Sequence, residues 1–266
     1  MPRLPRLPDL LTTANLCCGV LSILLASQGQ LTIACGLIFL AAFFDVLDGL
    51  AARAMGGGSE LGKQLDSLAD MVSFGVAPAF IAAISPTEAL QLVTSLHRDH
   101  APAFSPFGEL FGQPFWASIV CSVVIAVASM WRLAKFNIDT RQSNGFLGLA
   151  TPANALFWAS LGFITWGIGA VDGPGSGELQ NHLGMFAENP IQKLVLAIVL
   201  GLLMLSELPL PSLKFKHFRW KGNEVIYLLI IIGALLALLY GILAVPLILV
   251  LYLLSPLWGK LFPKPQ

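Results

Sequence analysis

The stretches DVLDGLAAR (residues 45–53) and GKQLDSLAD (residues 62–70) decide the fold of this chain. Together they carry four carboxylates, one pair in each stretch: Asp45, Asp48, Asp66 and Asp70. Positions three and four apart lie on one face of an α-helix. The spacing therefore predicts two helices, each with a pair of acids on one face. The glycine-rich turn at residues 56–58 allows the two helices to run antiparallel, so that the pairs face each other.

The composition around these stretches is that of a membrane protein. Of the 266 residues, 56% are hydrophobic and 11% are charged, and the mean hydropathy is +0.78. Soluble domains carry about 25% charged residues, so this chain has little surface that faces water. It contains several stretches of about 20 apolar residues, the length that crosses a bilayer as a helix. We therefore predict an all-α integral membrane protein. A formal net charge of zero gives no indication of a nucleic-acid partner.

The apolar pattern divides into about eight predicted transmembrane helices. They lie near residues 11–28, 31–54, 63–85, 114–136, 151–170, 189–206, 223–243 and 245–261. The longest predicted loops, 87–113 and 171–190, are rich in Gly, Pro and Ser.

The distribution of basic residues predicts an orientation. With these eight helices, only Arg98 and Lys193 of the 15 Lys and Arg residues lie on the side opposite the N-terminus, which leaves thirteen on its own side. Cytoplasmic loops carry the excess of Lys and Arg. We therefore expect a multi-pass protein of the cell membrane whose four acids face the cytoplasm.

Four carboxylates at one membrane face repel one another and require positive charge between them. Arg53 alone does not balance four acids, whereas one or two divalent cations do. Oxygen ligands without a nearby histidine or cysteine favour a hard cation such as Mg²⁺ or Mn²⁺. Two other interpretations are structural ion pairs with Arg53 and Lys63, and a transport site for divalent cations.

The same residues carry a family resemblance. They match every fixed position of the signature D-x-x-D-G-x-x-A-R, eight residues, G-x-x-x-D-x-x-x-D, and so the chain resembles the CDP-alcohol phosphatidyltransferases. The stretch around the first two acids, FFDVLDGLAARAM (43–55), and three further stretches resemble the branch of that family that uses L-serine: FGVAP (74–78), RLAKFNIDT (132–140) and GFLGLATPANAL (145–156). The resemblance covers roughly residues 8–206. It implies a catalytic six-helix core at 1–206, followed by a C-terminal pair of helices at 207–266.

The resemblance also implies an activity, which is transfer of the phosphatidyl group of CDP-diacylglycerol to the hydroxyl of L-serine. The products would be phosphatidylserine and CMP. By resemblance, Asp45, Asp48 and Asp66 bind a first metal ion, and Asp66 and Asp70 contribute to a second. Asp70 is the implied general base, which removes the proton of the serine hydroxyl. The resemblance further implies a homodimer among membrane lipids.

Several residues match family positions near the nucleotide, among them Gly49, Arg53 and Ser59. Thr12 and Asn15 resemble a family segment with the same role, although the family commonly has Asn where this chain has Asp9. Alternatively, polar residues at this place cap the first span.

Arg132, Lys135 and Asn137 form a third group, at the predicted cytoplasmic end of the fourth span. A guanidinium suits the serine carboxylate or a lipid phosphate. Positive-inside anchoring of the span is the other interpretation. Lys135 and Arg141 also leave open an acceptor that carries phosphate, such as glycerol phosphate or an inositol phosphate.

Overall fold

The computed structural model describes residues 6–84, 115–139, 146–165, 176–210 and 224–258. In chain order its elements are α1 (Leu7–Ala26), α2 (Leu31–Ala54), α3 (Glu60–Asp70), a π-helical segment (Met71–Val76), α4 (Ala77–Ala83), α5 (Phe115–Ile138), β1 (Phe146–Leu147), α6 (Thr151–Thr165), α7 (Ser176–Glu188), α8 (Pro190–Leu205), β2 (Pro209–Leu210), α9 (Glu224–Tyr240), a 3-10 segment (Gly241–Leu243) and α10 (Ala244–Trp258). The predicted all-α fold is confirmed.

The turn between α2 and α3 brings the two acidic stretches together. Gly56 (φ +88°) and Gly57 (φ +113°) lie in the left-handed region that favours glycine. The N–H of Gly57 donates to the carbonyl of Ala52 and that of Gly56 to the carbonyl of Arg53, which is the Schellman pattern for ending a helix. Ser59 then begins α3 by accepting a 2.9 Å hydrogen bond from the N–H of Gly62. The chain thus reverses over a few residues, and α3 starts beside the end of α2.

The third span is a continuous helix with a π-helical segment in its middle. That segment begins at Met71, immediately after Asp70, and α4 continues the helix to Ala83. α1 packs closely against it, since a Cβ added at Gly19 would lie 2.7 Å from the Cα of Ser73. This contact fixes the depth of α1 relative to Asp70. π-helical turns inside α-helices often occur at functional sites.

α6 lies between two apolar clusters. Its small residues Ala155 and Ala159 belong to a cluster formed mainly with α1, α2 and the third span. On another face, Trp158 and Leu161 belong to a cluster formed with α5, α7, α8 and α10. The C-terminal helix α10 also packs against α6 and β2. α6 therefore links the helices that carry the acids to the C-terminal half of the chain.

The apolar spans make the chain a multi-pass membrane protein, but the predicted count of eight is not confirmed. Within the described residues, five helices are long and apolar enough to cross a membrane, or up to six if α7 and α8, bent by 93°, form one span. α9, the 3-10 segment and α10 enter that count together, as the stretch Ile226–Pro256. The predicted loop at 87–113 and residues 166–170 of the fifth predicted span lie outside the described residues.

The prediction of a loop at 171–190 is wrong for Ser176–Glu188, which form α7. This segment is helical because Leu179, Leu183 and Phe186, spaced as one helical face, pack against the larger apolar cluster. The Gly- and Ser-rich composition before α7 concealed this apolar spacing from the sequence reading.

Candidate metal centre

Three of the four acids meet at the junction of α2 and α3. Carboxylate oxygens of Asp45, Asp48 and Asp66 all lie within 4.8 Å of one another. Asp48 is only 6% exposed, and the other two are half-buried. Three ionised carboxylates at this distance repel one another. The arrangement is therefore stable only if a cation lies between them. The meeting of Asp45 and Asp48 with Asp66 agrees with the prediction that the two acidic stretches face each other, although Asp70 is not part of this group.

The protein groups around the three acids fit a metal ion. Oδ1 of Asp66 is buried and receives no hydrogen bond from the described residues. An ionised carboxylate only accepts hydrogen bonds, so this oxygen requires a donor or a cation. The all-oxygen set suits a hard divalent ion. Lys63, proposed above as an ion-pair partner for the acids, instead pairs with Glu60 at 3.0 Å.

Asp70 lies apart from this group of three. It is the last residue of α3, is 8% exposed, and is not among the acids whose oxygens lie within 4.8 Å of one another. Its Oδ1 accepts a 3.0 Å hydrogen bond from Nδ2 of Asn15 on α1. The second predicted metal site, formed by Asp66 and Asp70, remains a prediction.

α1 supplies two side chains to the acids from one helical face. The hydroxyl of Thr12 lies 2.7 Å from Oδ2 of Asp48, and Asn15, three residues further along, contacts Asp70. Both residues are buried, Asn15 completely. The alternative that they cap the first span is wrong, because α1 begins at Leu7 and both positions are interior. Sequence reasoning missed these contacts to the acids, although the three-residue spacing of the pair was visible.

The residues predicted to contact the nucleotide surround the turn after α2. Arg53 is exposed, and its guanidinium folds back towards Gly49, where an added Cβ would lie 3.7 Å from Nη1. Ser59 caps α3, and an added Cβ at Gly62 would lie 3.3 Å from Oδ1 of Asp9. Gly49, Arg53 and Ser59 are therefore close to the ends of α2 and α3, at the same end of the fold as the acids. Nucleotide contact by these residues remains a prediction.

Arg132, Lys135 and Asn137 form hydrogen bonds with three different parts of the fold. Arg132 is 4% exposed, and its Nε donates to the carbonyl of Leu149 at 3.2 Å, so it ties α5 to the segment before α6. The exposed Lys135 reaches the carbonyl of Leu205 at 3.2 Å. Nδ2 of Asn137 donates to Oγ of Ser67, the neighbour of Asp66, at 2.7 Å. Among the hydrogen bonds that the structure describes for these three residues, only that of Asn137 reaches a helix that carries the acids.

Arg132 and Lys135 also line a shallow cleft at the ends of α5 and α8 that are predicted to face the cytoplasm. Two acidic residues, Asp139 and Glu207, line the same cleft. Positive-inside anchoring alone does not account for a buried arginine, because an anchoring side chain extends towards the head groups. Arg141, considered above for phosphate recognition, lies outside the described residues.

A match over most of the sequence identifies the family of this chain. Residues 6–256 match the model of the CDP-alcohol phosphatidyltransferase family, and this stretch contains the acids, the turn and the helices of α1 to α8. The chain belongs to this family. As a CDP-alcohol phosphatidyltransferase it is an enzyme of phospholipid biosynthesis, and the acids at the α2–α3 junction coincide with the family signature.

Curated relatives agree with this membership. The chain is 29% identical over 229 residues to a CDP-diacylglycerol–serine O-phosphatidyltransferase of Helicobacter pylori, with 85% of this chain and 78% of the relative covered. It is 28% identical over 218 residues to the Bacillus subtilis protein of the same name, with 82% and 94% covered. An archaetidylserine synthase of Methanothermobacter thermautotrophicus is 36% identical over 152 residues, with 56% and 54% covered.

Proposed function

We propose that this phosphatidyltransferase transfers the phosphatidyl group of CDP-diacylglycerol to the hydroxyl of L-serine, with phosphatidylserine and CMP as products. The observation that carries the proposal is the meeting of Asp45, Asp48 and Asp66 at the family signature, in a chain whose long matches are to serine-using relatives. The donor lipid and the acceptor are those in the names of these relatives.

In the proposed reaction Asp70 is the general base. It receives the proton of the serine hydroxyl, whose oxygen attacks the phosphorus that carries the diacylglycerol. The bond from that phosphorus to the bridging oxygen of the pyrophosphate breaks, and CMP leaves with the electron pair. Asp70 suits this role because it lies outside the group of three acids and is held by a single described hydrogen bond, from Asn15.

Asp45, Asp48 and Asp66 would hold a divalent ion, and Asp66 and Asp70 a second one. When bound, such ions neutralise the negative charge that develops on the pyrophosphate. We propose Mg²⁺ or Mn²⁺, because the site offers carboxylate oxygens only. Thr12 holds Asp48 in place through its hydroxyl, and Gly49, Arg53 and Ser59 would bind the cytidine nucleotide beside it.

Several features of the assembly belong to the same proposal. The excess of Lys and Arg on one side favours a site that faces the cytoplasm, in the cell membrane. A homodimer among membrane lipids and a division into a catalytic core (1–206) and a C-terminal helix pair (207–266) follow the family resemblance. The packing of α10 against α6 indicates that this pair supports the core.

A different acceptor, such as glycerol phosphate or an inositol phosphate, is a second candidate. The cleft lined by Arg132 and Lys135 favours it, since two cations suit a phosphate. Asp139 and Glu207 in the same cleft count against it, because they repel a dianion.

The deciding experiment supplies purified protein with CDP-diacylglycerol, Mg²⁺ or Mn²⁺, and one acceptor at a time. We expect CMP release with L-serine, and a lipid product with the mass of phosphatidylserine. Release driven by glycerol phosphate or inositol phosphate, and not by serine, would overturn the acceptor assignment. Omission of the metal serves as the control.

A further inference from the structure

Asn15 has an unusual position beside the proposed base. It is completely buried in α1, and its Nδ2 donates to Oδ1 of Asp70 at 3.0 Å. Its own Oδ1 is buried and receives no hydrogen bond from the part of the chain that the structure describes. A buried amide oxygen without a donor is costly, and most such oxygens in folded proteins have a partner. The position therefore indicates a missing donor next to Asp70.

The orientation of the amide follows from chemistry. An ionised carboxylate only accepts hydrogen bonds, so the NH₂ group of Asn15 must face Asp70. The amide oxygen is then directed away from Asp70 Oδ1 and remains able to accept a hydrogen bond. Thr12, the neighbouring polar residue of the same face, directs its hydroxyl to Asp48 and the carbonyl of Pro8. No described residue donates to Oδ1 of Asn15, so a bound molecule would have to supply the donor.

L-serine has a suitable donor. Its ammonium nitrogen is separated from its hydroxyl oxygen by two carbon atoms. One serine molecule can therefore place its hydroxyl against one acceptor and its ammonium against a second acceptor beside it. A hydroxyl placed against Asp70 brings the ammonium into the region of the Asn15 amide, which is itself in contact with Asp70.

We propose that Oδ1 of Asn15 accepts a hydrogen bond from the ammonium of the acceptor, which makes Asn15 the residue that selects an amino alcohol. The inference deepens the proposed function and rests on it. One amide then has two tasks: its nitrogen positions the base, and its oxygen recognises the group two carbons away from the reacting hydroxyl. Alcohols without an ammonium leave this oxygen unsatisfied and bind less well.

The test compares L-serine with 3-hydroxypropionate, which has the same hydroxyl and carboxylate but no ammonium. The second compound is measured as an acceptor and as a competitor of serine, so that its affinity is obtained whether or not it reacts. In Asn15→Leu, we expect the KM for serine to rise about tenfold or more, while the affinity for 3-hydroxypropionate changes little. The preference of the wild type for serine should then largely disappear.

Asn15→Asp separates the two tasks. It keeps an acceptor oxygen but removes the NH₂ that holds Asp70, so kcat should fall while the preference for serine persists. Ser22→Ala is the matched control, since Ser22 is also buried in α1 but donates to the carbonyl of Ala34, far from the acids in sequence. It should leave the preference unchanged. Melting temperatures establish that each variant is folded, and if Asn15→Leu fails to fold, Asn15→Asp decides.

Three results would overturn the inference. Equal losses for serine and 3-hydroxypropionate in Asn15→Leu would leave Asn15 as a support for Asp70 only. A raised metal requirement in that variant would make the oxygen a metal ligand. Loss of the serine preference in Asn15→Asp, which keeps an acceptor oxygen at this position, would show that the oxygen does not recognise the ammonium. A wild-type protein that does not use serine at all would instead overturn the proposed function.

Discussion

The hydroxyl of Thr12 on α1 lies 2.7 Å from Oδ2 of Asp48 on α2, across a separation of 36 residues. Asp48 is one of the three acids that meet at the candidate metal centre, and a hydrogen bond to one oxygen orients the whole carboxylate. α1 therefore carries none of the clustered acids but shapes the site that they form. The centre depends on three helices rather than on the two that contain the signature.

Thr12→Val should weaken metal binding without removing a ligand. The substitution keeps the shape of the side chain and deletes the hydroxyl, so Asp48 loses its orienting partner. Loss of such a partner typically costs about 10- to 100-fold in metal affinity or activity. We expect the Mg²⁺ or Mn²⁺ concentration for half-maximal CMP release to rise by about tenfold. Thr12→Ser, which keeps the hydroxyl, is the control; an equal shift in both variants would contradict the orienting role.

Asp70→Asn should abolish turnover while nucleotide binding largely survives. The amide has the size of the carboxylate but does not accept the proton of the acceptor hydroxyl, and general-base catalysis contributes about 10²- to 10⁴-fold. Binding survives because the group of three acids is intact. CMP release and the affinity for CDP-diacylglycerol are the measurements. Asp66→Asn, which removes a clustered acid, should impair both, and near-normal turnover of Asp70→Asn would remove Asp70 from the base role.

Gly19→Ala should destabilise the packing of α1 against the third span. The added Cβ would lie 2.7 Å from the Cα of Ser73, so backbone must move, and such overpacking typically costs about 1–3 kcal/mol. The melting temperature should fall, and activity with it, since the π-helical segment that contains Ser73 directly follows Asp70. At Gly36 on α2 an added Cβ would lie 3.6 Å from Phe163, an ordinary contact. Gly36→Ala should therefore leave the melting temperature nearly unchanged, and an equal loss in both variants would contradict the prediction.

Arg132→Ala should lower stability more than Lys135→Ala. Arg132 is buried, donates to the carbonyl of Leu149, and lies 5.5 Å from the ring centroid of Phe136. Its removal leaves that carbonyl without the charged donor, at a cost of about 1.5–3 kcal/mol. Lys135 is exposed, so the loss of its bond to Leu205 is largely compensated by water. Thermal unfolding in detergent compares the two, and equal melting temperatures would contradict the structural role of Arg132.

Local spacing was enough to predict the helices that carry the acids. α2 was predicted at residues 31–54 and occupies Leu31–Ala54, because its apolar run is long and glycines mark its end. The meeting of Asp45 and Asp48 with Asp66 was predicted in the same way. By contrast, α7 was missed, because its apolar face is short and its stability comes from packing against the large apolar cluster.

The sequence by itself determined that the chain is a helical membrane protein and that Asp45 and Asp48 on one helix meet Asp66 on the next. Both follow from local rules, namely the length of apolar runs and the periodicity of the helix. Only the tertiary structure decided that Thr12 and Asn15 contact Asp48 and Asp70, that Asp70 lies outside the group of three, and that Arg132 is tied to Leu149. These contacts join residues on separate helices, and the close approach of helices that creates them depends on the shapes of both surfaces, such as the space at Gly19 against Ser73.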